Sequence, residues 1–179
     1  MQRTSLRAIT TRYKGYAFRS RLEARWAVFF DHLGIAWEYE PEGFELGNGL
    51  RYLPDFWLPD WGMWVEVKPE CPDVPGMEKA VRLARWRGEP VLIVCGMPGA
   101  QSMLFMPAAD GSVSASEAWI PWCESEPIVY VGECAEQINY PKVYTMPMRQ
   151  LGSALYGAAE DALHAARSAR FEFGARGAQ

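Results

Sequence analysis

From Ser20 to Leu33 the apolar residues Leu22, Trp26, Phe29, Phe30 and Leu33 recur at helical spacing and form one stripe. Ser20 followed by Glu23 has the form of a capping box, and Gly34 suits a left-handed helix end. The pattern predicts a helix over 20–33. Ile35 to Glu40 mixes β-branched and aromatic residues and reads as a strand, turned by Pro41-Glu42-Gly43. After Phe44-Glu45-Leu46, the run Gly47-Asn48-Gly49 is a strong turn signal. Leu50–Leu58 and Met63–Lys68 read as two strands joined through Pro59-Asp60-Trp61-Gly62.

Pro69 to Gly76 holds three prolines and reads as a loop. A helix follows over Met77–Arg87, with Ala80, Leu83, Ala84 and Trp86 as packing positions and Gly88 as its stop. Pro90–Cys95 is the continuous apolar run of a buried strand. Farther on, Met103–Met106, Ala118–Ile120 and Ile128–Val131 look like short strands in a loop-rich region. Gly152–Phe173 reads as a last, alanine-rich helix, with 174–179 as a frayed tail. Residues 1–18 are polar and basic, without clear periodicity, and suit a flexible arm or a short strand. The expected layout is thus a basic arm over 1–18, an α/β domain over 19–148, and a C-terminal helix over 149–173 packed on the same domain.

Composition narrows the function classes. The chain has 179 residues, 49% of them hydrophobic, which is one domain's length with ample core. Its two histidines, His32 and His164, argue against a His-rich metal site and fit helix surfaces. Cys71, Cys95, Cys123 and Cys134 include no C-x-x-C pair, so a zinc ribbon or thioredoxin-like site is not expected. No apolar run approaches signal-peptide or membrane-span length. Together these point to a cytoplasmic chain with reduced cysteines.

The formal net charge of −4 argues against a general polyanion binder, but it averages unlike segments. Residues 1–25 carry seven basic residues against one acid, and residues 26–78 carry eleven acids against two basic residues. That pattern suits a protein that grips an anion at one edge and holds cations beside it, but on charge alone an ordinary surface with uneven charge is the favoured reading. Arg12, Lys14, Arg19, Arg21 and Arg25 are the candidate phosphate contacts, with sequence-independent, salt-sensitive binding. Tyr13, Tyr16 and Phe18 lie among them and suit either base stacking or core packing. Lys79, Arg82, Arg85 and Arg87 form a second basic face, which also suits plain solvation.

The chemistry concentrates in Tyr52-Leu53-Pro54-Asp55-Phe56-Trp57-Leu58 and Trp64-Val65-Glu66-Val67-Lys68. Joining the strands through residues 59–62 sets Leu58 opposite Met63, Trp57 opposite Trp64, Phe56 opposite Val65 and Asp55 opposite Glu66. Opposed residues lie about 5 Å apart. Alternation puts Asp55, Glu66 and Lys68 on one face, and Phe56, Val65 and Val67 on the core face. A cross-strand ion pair explains Glu66 with Lys68 but not Asp55 beside Glu66, since facing carboxylates repel. Mg²⁺, which takes one or two carboxylates plus water and phosphate, would resolve that repulsion. A nearby lysine can hold or activate a water, completing the parts for metal-assisted phosphodiester hydrolysis.

Pro54-Asp55, a ten-residue gap and Glu66-Val67-Lys68, after a helix opening Ser20-x-x-Glu23, resemble the PD-(D/E)xK nucleases of the restriction-endonuclease-like fold. The stretch Arg19-Ser-Arg-Leu-Glu-Ala-Arg-Trp-Ala27 is similar to small phage and actinobacterial proteins of that kind. The Ser-x-x-Glu start also resembles the resolvase and transposon-end-cutting branches. The likeness spans roughly residues 18–95. It implies an α/β fold with an αβββαβ core on a central mixed sheet, followed here by a loop-rich β region and a C-terminal helix. It implies Asp55, Glu66 and the Val67 carbonyl as ligands of Mg²⁺ or Mn²⁺, Lys68 as the water-positioning lysine, and Glu23 as a further ligand or supporting acid. The implied function is DNA cleavage in phage- or mobile-element-associated processing. Pairing into a homodimer and docking of a protein partner through 96–179 stay open, as does a module on this fold that binds without cutting.

Overall fold

The computed structural model describes residues 9–100, 102–119 and 157–173, with the short strands at 122–123, 126–127, 129–131 and 143–145 between them. The expectations for 1–8, Ile120, Ile128, Cys134, 152–156 and the tail at 174–179 lie outside the described residues.

The basic N-terminal stretch is, in its described part, a hairpin of β1 (Thr11–Tyr13) and β2 (Tyr16–Phe18). Lys14 and Gly15 turn it, both at positive φ, as a tight two-residue turn requires. Phe18 is fully buried, its ring 4.4 Å from that of Tyr39, so it packs in the core, whereas Tyr16 is 42% exposed and rests against the Trp37 ring.

Helix α1 (Arg21–His32) starts where the capping residue predicts: the Ser20 hydroxyl accepts the Glu23 N–H. Its apolar stripe buries Trp26, Phe29 and Phe30. The strand expected over 35–40 shrinks to β3 (Glu38–Tyr39). The run over 50–58 splits. Its first part, β5 (Arg51–Tyr52), pairs with β4 (Phe44–Glu45) as a separate ribbon. Its last part, β6 (Phe56–Leu58), joins the main sheet. The break falls at Leu53-Pro54-Asp55, where proline has no N–H for a ladder and Asp55 turns its carboxylate onto the neighbouring strand.

A short 3₁₀ turn leads from β6 into β7 (Met63–Lys68), with Gly62 in the left-handed conformation. The expected register holds for Phe56 opposite Val65, Trp57 opposite Trp64 and Leu58 opposite Met63, but the ladder ends there, so the expected pairing of Asp55 with Glu66 is not part of it. Helix α2 (Glu78–Arg87) ends at left-handed Gly88 and returns the chain to β8 (Val91–Cys95), parallel to β7. Then come β9 (Ser102–Pro107), β10 (Val113–Trp119), the ribbon of β11 (Trp122–Cys123) and β12 (Glu126–Pro127), β13 (Val129–Val131) and β14 (Val143–Thr145). The last helix, α3 (Gly157–Ser168), stops short of Phe173, which lies in β15 (Glu172–Phe173) against β1.

The fold is mixed α/β. Its central sheet runs β14-β13-β10-β9-β8-β7-β6-β3, with parallel pairing at β7/β8 and β13/β14. Alternation along β7 and β8 fills both faces. Phe56, Met63, Val65, Val67, Leu92 and Val94 share one core cluster with α1 and α3. Trp64, Val91, Ile93 and Phe105 share the other with α2 and the β4–β5 ribbon. Each fully buried side chain of this size contributes about 1.5–3 kcal/mol. The stripe Ala80, Leu83 and Ala84 carries α2 onto the sheet, but Trp86 lies off it, 63% exposed, against the edge of Phe44. Among the described residues no helix is long and apolar enough to cross a membrane.

The expectation of reduced cysteines is corrected at two positions. Cys71 and Cys95 form a disulfide, with Cα atoms 5.0 Å apart. Cys95 is the register partner of Lys68, so the bridge fastens the segment after β7 to the end of β8. Closing a loop of 24 residues' separation contributes about 3 kcal/mol in the chain-entropy view. Cys71→Ser is therefore expected to lower the melting temperature by several degrees, and dithiothreitol to do the same to the wild type but not to the variant. Equal melting of the oxidised wild type and the variant would count against this role.

Candidate active site

Two short-range rules place the site. Asp55 stands at the break before β6, and Glu66 and Lys68 share one side of β7 by alternation. Asp55 is 3% exposed and Glu66 8% exposed. The Asp55 carboxylate reaches across to the next strand, where Oδ2 accepts the Val67 N–H at 2.7 Å. The Lys68 ammonium sits on Glu66 Oε1, while the buried Glu66 Oε2 has no hydrogen-bond donor. A cleft of about 1040 Å³ opens over this group. Arg19 and Glu23 stand in its wall, with Tyr52 and Arg51 from the β4–β5 ribbon, and Pro72 and Lys79 at its other side.

The first helix reaches the cleft through its start. Glu23 is buried, and its carboxylate accepts the Ser20 hydroxyl at 2.6 Å, the Tyr39 hydroxyl at 2.6 Å and the Arg19 N–H at 3.0 Å. The capping pair and a buried acid at the site are therefore one structure. Glu23 fixes the main chain at Arg19, and from there the guanidinium reaches Asp55 Oδ1, with Nη2 3.0 Å away, and Glu40, with Nε 2.5 Å away. Glu40 is anchored in turn. Its backbone takes φ 45°, rare for a non-glycine residue, and its N–H bonds the Asp55 carbonyl at 2.9 Å.

The electrostatics follow from the burial. Desolvation, and then the charge of Glu66, push the Asp55 carboxyl up to about 7, against the pull of the Val67 N–H and Arg19. Burial, and then the charges of Glu66 and Asp55, hold the Tyr52 hydroxyl well above its usual range. Burial alone would lower the Arg19 guanidinium, but Tyr39, Glu40 and Asp55 outweigh it and keep it charged.

The other residues singled out from the sequence go elsewhere. Arg25 donates to the carbonyls of Ala166 and Arg167, clamping the end of α3. Lys14 pairs with Asp31 at 2.8 Å and, with Arg12, lines a separate cavity of about 390 Å³. Arg21 is an exposed residue of the first turn of α1. On α2, Arg82 pairs with Glu78, Arg87 pairs with Glu89, and Arg85 donates to the Gly111 carbonyl. Only Lys79 of that basic face lines the cleft. Tyr39, Glu40, Arg51 and Tyr52 were missed from the sequence. Nothing local in it shows that the chain returns them to this point.

Among the described residues no three His, Cys, Asp or Glu side chains gather as a ready metal cage. The two carboxylates nonetheless fit a hard divalent cation, which needs only one or two from the protein. The buried, donorless Glu66 Oε2 is the kind of oxygen a cation would satisfy. No family model matches this chain, and neither a curated protein nor a solved structure does.

The raised Asp55 pKa gives a pH dependence of stability in metal-free protein. The folded state holds this proton up to about 7, and the ordinary value is 3.8. Between those limits the folded state binds the proton more tightly than the unfolded chain, so this group's contribution to stability falls as pH rises. In EDTA, thermal melts from pH 4.5 to 8 are expected to show this decline in the wild type and a flatter profile in Asp55→Asn. Parallel profiles would refute it.

Proposed function

We propose that this chain is a divalent-cation-dependent deoxyribonuclease of the PD-(D/E)xK type on a restriction-endonuclease-like fold. The observation that carries the reading is the floor of the cleft. There Asp55, pinned to the Val67 N–H, lies beside Glu66 with its unpaired buried oxygen and Lys68 with its ammonium. The order α1-β3-β6-β7-α2-β8, with β3, β6, β7 and β8 adjacent in the sheet, supports the αβββαβ core.

Asp55, Glu66 and the Val67 carbonyl would hold Mg²⁺ or Mn²⁺. Bound there, the cation would polarise a phosphoryl oxygen and stabilise the leaving oxygen. Asp55 contributes a carboxylate whose direction is fixed by a main-chain donor, so little reorganisation is needed on binding. Lys68, 39% exposed at its side chain, is the group placed to orient an attacking water and to stabilise charge on the phosphate through Nζ. Lys79, together with Arg51 paired to Glu45 and Arg19 paired to Glu40 and Asp55, would supply the basic groups of the cleft for the phosphate backbone. Glu23 acts through Arg19 and Tyr39, setting the position of the wall.

A second reading has its own observation. Arg19 and Lys68 already neutralise Asp55 and Glu66, as they would in a binding module that no longer cuts. Calorimetric titration with Mg²⁺ separates the two, because only the nuclease requires metal binding that Asp55→Ala abolishes.

Single-stranded, duplex, flapped and four-way DNA incubated in Mg²⁺ and in Mn²⁺ is expected to show cleavage of at least one form. Lys68→Ala should reduce it by about a hundredfold or more. No cleavage of any form, or full activity in Lys68→Ala, would sink the proposal. Lys79→Ala should weaken DNA binding and lower the slope of log affinity against log salt by about one. An unchanged slope would remove Lys79 from the phosphate path.

A further inference from the structure

We propose that Arg19 is a built-in counter-ion of the carboxylate pair, which a divalent cation displaces from Asp55 and which then takes a substrate phosphate, so that metal and DNA bind cooperatively. This rests on the metal-dependent reading of the cleft and adds an order of events to it.

The argument begins with which oxygens are free. Asp55 Oδ2 is committed to the Val67 N–H, and Glu66 Oε1 to the Lys68 ammonium. A cation held by both residues would meet, at Asp55, two oxygens that each already accept a donor, Oδ2 the Val67 N–H and Oδ1 the Arg19 guanidinium. Glu66 Oε2 has no donor, but Asp55 Oδ1 is the atom held by Arg19 Nη2 at 3.0 Å. A dication and a guanidinium cannot share that oxygen without strong like-charge repulsion in a buried setting. Arg19 has to let go.

The surroundings let it do so without disturbing the fold. The main chain of Arg19 is tied independently, through its N–H to Glu23 and Tyr39. Its guanidinium has a second partner, Glu40, at 2.5 Å, so it can leave Asp55 while keeping an ion pair. More than half of the side chain is solvent-exposed, at 57%, and the residue lines the cleft. A planar guanidinium freed there matches phosphate oxygens, which accept its paired N–H donors. Releasing Arg19 to accommodate metal thus creates a phosphate contact, and binding phosphate draws Arg19 away from the metal position. Coupling of this kind is reciprocal, and values of roughly 5–150-fold are usual.

Manganese titration by calorimetry tests this, with and without a phosphorothioate DNA oligonucleotide that resists cleavage. In the wild type the oligonucleotide should tighten Mn²⁺ binding about tenfold. Arg19→Gln should bind Mn²⁺ about tenfold more tightly than the wild type without DNA, and gain little when DNA is added. A folded Arg19→Gln, verified by its melting curve, that binds Mn²⁺ no better than the wild type overturns the proposal. So does full coupling in that variant. If Arg19→Gln does not fold, Arg19→Lys decides the matter. It keeps the charge on Asp55 but loses the fork, so it should keep the weak metal binding and lose most of the coupling, and wild-type coupling overturns the proposal. Failure of the wild type to bind Mn²⁺ at all defeats the nuclease reading itself. Binding and cleavage without any effect of Arg19 defeat only the counter-ion.

Discussion

A carboxylate placed inside a sheet needs a donor, and Asp55 finds one in the main-chain N–H of Val67, 2.7 Å away. Much of the local architecture depends on that bond. It forms because the strand is broken at Pro54, which frees Asp55 from the ladder while leaving it next to β7. It keeps Asp55 near Glu66, whose charge would otherwise push it away. The break also sends β5 off to pair with β4, and that ribbon becomes a wall of the cleft. One proline therefore connects the sheet's irregularity, the position of the acid and the shape of the opening above it.

Burying two carboxylates at one point creates a demand for positive charge, and the chain meets it from two distances. Lys68 is two residues from Glu66 on the same strand. Arg19 comes from the start of α1, its position set by Glu23 and Tyr39. The acid that caps the helix start thus also sets where a cationic side chain enters the cleft. The cost of isolating charge in a low-dielectric setting is offset by hydrogen bonds from side chains and main chain together.

What was legible in the sequence was what depends on local spacing. The α1 stripe with its Ser20 cap, the β6–β7 register and the fully apolar β8 each follow from periodicity and turn chemistry. The side shared by Glu66 and Lys68 follows from strand alternation alone. What was not legible depends on contacts between distant segments. Arg25 looked like a phosphate contact because its charge shows in the sequence, but its carbonyl partners lie far along the chain in α3. The Cys71–Cys95 bridge depends on the parallel β7/β8 pairing that sets Cys95 beside Lys68. Trp86 looked like core, yet a ten-residue helix buries only one stripe, and Ala80, Leu83 and Ala84 already fill it.

The β4–β5 ribbon has a consequence of its own. It forms a separate two-stranded sheet outside the order of the main one, entered after β3 and left before β6. Its Gly47-Asn48-Gly49 tip is exposed. Lengthening such a tip adds little closure entropy, since each doubling costs only about 0.6 kcal/mol. One side of the cleft can therefore be lengthened at a point away from Asp55, Glu66 and Lys68, so the shape of the opening is separable, in evolution and in engineering alike, from the charged group at its floor.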